Sequence, residues 1–327
     1  MESQGEHRSD RGRLSKAVAL KEQLHQWRQR HPGPVTAVHD FDADGLCAAA
    51  LWKRSLGGTT QVVRGRKSLP PLQHPANLAF VLDLSCPEDE FPWNLPTVVI
   101  DHHLPPVRPP AETLLLHRSD RCTAWLAHDL LGGPDWIAVL GILSDMGDSS
   151  PSPLLQGQLD RWGINPLRQL TSLVNSAHRA GGDCDQALEA LLQHESPSQM
   201  IHSDHPSMTY LRDCQRKVRK RLGQAKQASP TYYGKVALVE FQSDCPVQSI
   251  IAQIWKSRLA DKVVLVANLR NDRAEVHLSA RSRGNLSAIE TLRDRGLVLR
   301  GHPNSAGAVL TPEEWQNFLE TLRAHTY

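Results

Sequence analysis

Val38-His39-Asp40-Phe41-Asp42-Ala43-Asp44-Gly45 follows directly on a β-rich run, Val35 to Val38, and places four titratable side chains within six residues. Like charges this close destabilise one another unless cations sit among them. At the end of a strand, such a run reads as a divalent-metal site rather than as a solvated acidic turn. Upstream, a helical pattern from Leu14 to Arg30 stops at His31-Pro32-Gly33-Pro34, where two prolines and a glycine cannot continue it. Downstream, Leu46 to Leu56 has helical spacing and Gln61 to Val63 supplies a further strand. Two more β-rich runs, Ala79 to Leu82 and Thr97 to Ile100, lead into Asp83 and into Asp101-His102-His103. Strands alternating with helices pair in parallel in an α/β sheet, and ligands collect at the carboxyl ends of its strands. Polar residues at three strand ends therefore converge.

Two further carboxylate or imidazole signals extend the pattern. Val98 to Ile100 is a buried-looking run that ends in Asp101-His102-His103, and imidazole with carboxylate suits Mn²⁺, Fe²⁺ or Zn²⁺ better than Ca²⁺. Gly141-Ile142-Leu143-Ser144-Asp145-Met146-Gly147-Asp148 carries an apolar helical run to Asp145 beside a glycine. Asp83 alone would read as a turn or helix cap. Taken jointly, the groups offer more O and N ligands than one ion usually takes, which suggests two ions ~3.5–4 Å apart.

The composition sets the frame around this site. The chain has 327 residues, which at ~100–200 residues per domain implies two domains. Lys and Arg number 37 against 35 Asp and Glu, for a net charge of +2, with 40% hydrophobic residues. Such a balance excludes a disordered chain and a whole-surface polycation, so any nucleic-acid contact must come from a local patch. The longest apolar stretches, Ile137 to Leu143 and Val263 to Leu269, fall short of the ~18–20 residues of a membrane span, and residues 1–16 carry no secretory pattern. A cytoplasmic protein is the expectation. The six cysteines lie too far apart for a zinc pair or a small disulfide framework, and read as buried thiols. Trp52, Trp125 and Trp136 fall at helical spacings that belong to a core.

From Arg121 to about Leu192 the spacing is helical, whereas 195–232 changes character with Pro197, Pro206 and a basic helix candidate from Tyr210 to Lys226. Beyond Gly234, strand runs at Val236 to Phe241, Lys262 to Leu269 and Glu275 to Ala280 interleave with helices near Val247 to Arg258, Leu286 to Arg295 and Pro312 to Ala324. The expected organisation is an α/β catalytic domain over 1–195 built on a parallel sheet, a helical connector over 196–232, and a smaller α/β domain over 233–327.

In order and strand context, the His39…Asp42-Ala43-Asp44-Gly45 block, Asp83, Asp101-His102-His103 and Asp145 resemble the motifs of the DHH phosphoesterases. That family includes the RecJ exonucleases, nanoRNases and cyclic-dinucleotide phosphodiesterases. Ser279-Ala280-Arg281-Ser282 and Gly301-His302-Pro303-Asn304-Ser305-Ala306-Gly307 are similar to its substrate-binding DHHA1 domain. The resemblance implies that His39 and Asp42 hold one Mn²⁺, that Asp44, His102 and Asp145 hold the other, and that Asp83 bridges them; Mg²⁺ or Co²⁺ are possible substitutes. Asp40 would then stand behind the ligands, although RecJ-like members use an acid at its place. Catalysis would rest on Asp83, His102 and His103, with His103 orienting or contacting phosphate. Leu173-Val174-Asn175-Ser176-Ala177-His178-Arg179 resembles the RecJ Asn-Ala-x-x-Arg segment, which implies substrate contacts from Asn175 and Arg179. Arg281, Arg283 and His302, with the backbone at Gly301 and Gly307, would form an anion clamp. Leu297-Val298-Leu299-Arg300 departs from the family's glycine-rich run, so that Arg300 is an added candidate for a phosphate contact.

The function implied is a Mn²⁺-dependent phosphodiesterase acting on single-stranded DNA or RNA or short oligonucleotides, releasing nucleoside 5′-monophosphates. Cyclic or linear dinucleotides are the alternative substrates, and a catalytically silent nucleic-acid-binding scaffold is the alternative of another class. Short substrates are favoured because the chain stops about twenty residues after Gly307, before any OB domain. The basic connector Arg212 to Arg221 reads either as a backbone track or as a solvated helix face.

Overall fold

The computed structural model describes residues 20–63, 69–84, 91–103, 105 and 108–324. The start of the first predicted helix, residues 14–19, and Cys86 lie outside them. The chain divides into two compact units: residues 1–178 with 183–212, and residues 179–182 with 213–327.

The first unit opens with a helix over 20–30 (α1) and then β1 (Val35–His39), α2 (Ala43–Leu56), β2 (Thr59–Val62), β3 (Leu78–Leu82), β4 (Thr97–Asp101) and β5 (Thr113–His117). The five strands form one parallel sheet in the order β2-β1-β3-β4-β5. β1, β3 and β4 are buried along their whole length, as strands covered on both faces must be. Alternation along them feeds two cores. Ala37, Phe80, Val98 and Ile100 face the larger one, and Val38, Val81 and Val99 face a smaller one closed by Val63, Leu69 and Leu84. α2 is buried at every position from Ala43 to Trp52, with small residues Ala48, Ala49 and Ala50 letting its neighbours approach. α3 (Thr123–Leu131), α4 (Asp135–Asp145), α5 (Pro153–Trp162), α6 (Ile164–Arg179), α7 (Asp185–Gln193) and α8 (Pro197–His202) complete the helical part, and Trp52, Trp125 and Trp136 are all buried in it.

The long helix α9 (Pro206–Ala225) gives Met208 and Leu211 to the first core, so the segment read as a connector begins inside the first unit. The second unit continues with β6 (Thr231–Tyr233), β7 (Val236–Phe241), α10 (Gln248–Arg258), β8 (Val263–Arg270), β9 (Glu275–Arg281), α11 (Ala288–Arg293), β10 (Arg300–His302), β11 (Ser305–Leu310) and α12 (Pro312–Ala324). Its six strands form a mixed sheet, β10-β11-β9-β8-β7-β6, in which only the β7–β8 pair is parallel. Trp315, Phe318, Leu319 and Leu322 of α12 share the second unit's own core with Val236, Leu238, Val263 and Leu265. The α/β class of both parts is as the sequence implies. The sequence pattern does not reveal β5, β6 or the β10–β11 hairpin, whose glycines read as a turn. Cys47, Cys122, Cys184, Cys214 and Cys245 are buried free thiols. Among the described residues no helix is long and apolar enough to cross a membrane.

Candidate metal centre

The acidic run begins where β1 ends. Asp42 caps α2: its Oδ1 accepts from the backbone N–H groups of Asp44 (3.0 Å) and Gly45 (3.2 Å). That cap starts the helix at Ala43, a turn earlier than the apolar spacing alone implies, and carries Asp44 into the interior. Both Asp44 oxygens are engaged, Oδ2 by the N–H of Thr123 (2.8 Å) and Oδ1 by that of Ala124 (2.9 Å). Asp83 follows β3 with φ of 60°, a left-handed conformation that carboxylate residues tolerate better than most, and is 2% exposed. Thr123 Oγ1 donates to its Oδ1 at 3.0 Å.

Asp101 closes β4 and organises the histidines after it. It accepts from the backbone N–H groups of His102 (2.7 Å) and His103 (2.9 Å) and from Nδ1–H of His103 (2.8 Å). Burial opposes its ionisation, but the His103 hydrogen bond and charge outweigh this and hold its carboxyl below the usual range. His102 lies between acids, with Nε2 3.4 Å from Asp83 Oδ1 and Nδ1 3.8 Å from Asp145 Oδ2. Burial, together with the neighbouring His103, keeps it toward the neutral form that binds metals.

These residues form three sets whose ligand atoms lie within 4.8 Å of one another: Asp40, Asp42 and Asp83; Asp44, His102 and Asp145; and Asp83, Asp101, His102 and His103. The sets overlap in Asp83 and His102. Of the ligands expected from the sequence, Asp42, Asp44, Asp83, His102 and Asp145 are brought together, and Asp40 joins them. His39 is in none of these sets. Its Nδ1–H donates to the carbonyl of Asp40 (2.8 Å), and its Nε2 is buried without a partner. Burial pushes this imidazole down to about 4, so Nε2 carries a bare lone pair at neutral pH.

Electrostatically the cluster is incomplete without cations. Burial first, then Asp145 and Asp42, push Asp44 up to about 7, and burial with Asp44 and Asp42 pushes Asp83 well above the carboxylate range. Hard carboxylate oxygens with neutral imidazoles are the donor set of a divalent ion such as Mn²⁺ or Mg²⁺, so the residues present fit such ions. Ions that bind only the folded protein stabilise it. At free Mn²⁺ a hundredfold above Kd, one site adds about 2.7 kcal/mol. Chelation with EDTA is therefore expected to lower Tm by several degrees and excess Mn²⁺ to restore it, as read by scanning calorimetry. An unchanged Tm would argue against a metal centre.

Asn175 is placed inside the unit. It is 3% exposed, its Oδ1 accepts from Ala43 N–H (3.1 Å), and its Nδ2 donates to Ser144 Oγ (3.0 Å), which ties α6 to the start of α2 and the end of α4. Arg179 is the last residue of α6 and is half-buried. In the second unit, Arg281 ends β9 and is half-buried; its Nη1 donates to Ser279 Oγ (3.1 Å) and the Ala280 carbonyl (2.9 Å). Burial lowers its pKa, and among the described residues no carboxylate pairs with it. Gly301 and His302 lie on β10, and Gly307 on β11 pairs with Arg300. Gly301 has φ of 132°, and a Cβ there would sit 2.5 Å from the Ser305 carbonyl, so the hairpin requires glycine. Arg283, Arg300 and His302 are exposed. The sequence reading missed Thr123: lying two residues before the first periodic apolar residue, Trp125, it looks there like an ordinary helix cap.

A five-stranded parallel sheet bearing carboxylates and histidines at its strand ends, with a smaller mixed-sheet unit, is a fold that this chain shares with solved RecJ structures. No protein-family model matches the sequence, and no curated protein matches it. Solved structures do. RecJ from Thermus thermophilus in complex with Mn²⁺ superposes with a TM-score of 0.68 at 19% identity, over 96% of this chain and 54% of that one. The chain thus spans about half the length of that RecJ. An exonuclease RecJ bound to manganese gives 0.59 at 21% identity, over 96% of this chain and 94% of that one. The pGpG-specific phosphodiesterase PggH from Vibrio cholerae gives 0.53 at 15% identity, over 90% and 99%. At these identities the likeness establishes the fold.

Proposed function

We propose that the protein is a Mn²⁺-dependent phosphodiesterase that hydrolyses single-stranded nucleic acid or short oligonucleotides to nucleoside 5′-monophosphates. One observation carries the reading: three ligand-sized clusters overlap in a chain, the Asp40–Asp42 cluster joined to the third through Asp83 and the Asp44–Asp145 cluster joined to it through His102, which suits two adjacent ions. Asp40 and Asp42 would hold one ion and Asp44, His102 and Asp145 the other, with Asp83, which groups with Asp40 and Asp42 and lies 3.4 Å from His102 Nε2, placed to serve both. We place Asp40 rather than His39 in the first set because Asp40 groups with Asp42 and Asp83. Ions bound there supply an activated water and neutralise charge developing at phosphorus. The chain's own part is to fix the ligands and present phosphate. His103, its ring held by Asp101, faces this task beside Asp83, with its Nδ1 3.7 Å from Asp83 Oδ1. No protein nucleophile is needed, and the grouping of Asp42, Asp44, Asp83, His102 and Asp145 argues against a silent scaffold.

Arg281, with Arg283, His302 and the hairpin backbone at Gly301 and Gly307, is assigned to substrate phosphate, and so is Arg179. Asn175 is assigned to holding α2 and α4 in place. A half-buried guanidinium that, among the described residues, meets only neutral acceptors retains charge for an anion. Arg281→Ala is expected to raise KM by about 10- to 100-fold with little change in Mn²⁺ affinity, the worth of one charge-assisted contact. Steady-state kinetics with unchanged KM would remove Arg281 from the assignment.

The activity itself is tested with Mn²⁺ on 5′-labelled DNA and RNA strands of two to about twenty-five nucleotides, beside linear and cyclic dinucleotides. Release of mononucleotides from long strands supports a RecJ-like exonuclease. Release confined to the shortest substrates moves the assignment to a dinucleotide or nanoRNA phosphodiesterase. No turnover of any substrate by Mn²⁺-loaded protein would overturn the reading.

A further inference from the structure

The N-terminus of α3 departs from the local rule for helix starts. Its cap position is Cys122, which makes no side-chain capping hydrogen bond, yet the first N–H groups of the helix are satisfied. Asp44 satisfies them from another helix, taking Thr123 N–H on Oδ2 and Ala124 N–H on Oδ1. The carboxylate thereby gains two charge-assisted hydrogen bonds and the favourable end of the helix dipole. Because Thr123 is not needed as a cap, its hydroxyl is directed elsewhere, to Asp83 Oδ1 at 3.0 Å. Thr123 is fully buried and Asp83 is 2% exposed, so this contact is made away from water.

We propose that Thr123 is a positioning residue of the metal centre: its backbone orients Asp44, its hydroxyl orients Asp83, and one residue so fixes the spacing of the two metal-binding halves. The inference rests on the two-ion reading above. A carboxylate shared by two ions must present each oxygen in one direction, and Asp83 stands just past the end of β3, in the left-handed region, where the strand no longer sets its direction. The donated hydroxyl occupies one lone pair of Oδ1 and leaves the others for ligation.

The test uses the full chain with Thr123→Val, which keeps the shape and both backbone donors and removes only the hydroxyl, and Thr123→Ser, which restores it. Mn²⁺ affinity is read by titration calorimetry, and folding of each metal-free variant by its Tm. Thr123→Val is expected to bind Mn²⁺ about 10- to 100-fold more weakly, the usual effect of removing a partner that orients a metal ligand, with Thr123→Ser close to wild type. Wild-type affinity in Thr123→Val overturns the inference alone. A wild-type chain that binds no Mn²⁺ overturns the metal reading and this inference with it. Should Thr123→Val fail to fold, Thr123→Ser and Thr123→Ala decide: equal affinities overturn the inference, and a loss confined to Ala supports it.

Discussion

Asp83→Ala is expected to lower kcat by about a thousandfold or more, the scale of losing a principal electrostatic element of a catalytic site. Asp83 groups with Asp40 and Asp42 of one proposed ion site and lies 3.4 Å from His102 Nε2 of the other, so its removal is felt at both. The substitution acts on stability through two opposing effects. Alanine at φ of 60° costs about 1 kcal/mol more than a residue that tolerates this region, whereas deleting a buried carboxylate relieves repulsion with Asp44 and Asp42. Asp83→Asn separates the effects, since it keeps the shape and the conformational tolerance and loses only the charge. Both variants are expected to be folded and inactive, with metal-free Tm values close to wild type for Asn. Substantial turnover by either, in the presence of Mn²⁺, would sink the bridging role.

Gly141→Ala is expected to damage packing and the metal centre together. Gly141 lies in α4 where it crosses α2 and α3, and a Cβ there would stand 2.4 Å from Ala124 Cβ and 2.7 Å from Asp44 Oδ1. Neither neighbour can give way freely, because Ala124 is in the α3 backbone's first turn and Asp44 is held by that same turn. Overpacking of this kind costs about 1–3 kcal/mol. The displacement falls on a metal-binding carboxylate, and misplacement by about 1 Å costs on the order of a hundredfold in catalysis. The expected result is a lower urea midpoint with an unchanged m-value, together with kcat/KM reduced by about two orders of magnitude. A midpoint and turnover equal to wild type would show that the helices part without moving Asp44.

Most of the fold could be read in the chain because its signals are local. Val35 to Val38, Ala79 to Leu82 and Thr97 to Ile100 are short β-rich runs that each stop at or next to a titratable group, and they form the three central strands. What escapes such a reading is what tertiary context decides. Thr113–His117 is a leucine run with Thr113 as its one β-branched residue, and it becomes an edge strand by pairing with β4. Arg300–His302 and Ser305–Leu310 carry glycines that weaken a strand pattern, and pairing of the second with β9 supplies what propensity does not.

The site was legible to a similar depth. Clustered acids at strand ends announce a shared chemistry, and Asp42, Asp44, Asp83, His102 and Asp145, named as ligands through the family resemblance, do lie near one another. Which atom faces which depends on side-chain direction. His39 and Asp40 are adjacent in sequence, but only Asp40 turns its side chain to Asp42 and Asp83, while His39 turns Nδ1 back to a carbonyl. Asn175 and Thr123 act at a distance of 132 and 40 residues from Ala43 and Asp83, and no local pattern encodes such contacts.

A two-ion centre is tested by counting the ions. Metal-free protein equilibrated with Mn²⁺ and dialysed is analysed by inductively coupled plasma mass spectrometry beside Asp83→Asn. Two Mn²⁺ are expected per wild-type chain and fewer than two in the variant. A wild-type chain that retains no Mn²⁺, or two ions retained equally by Asp83→Asn, would contradict it.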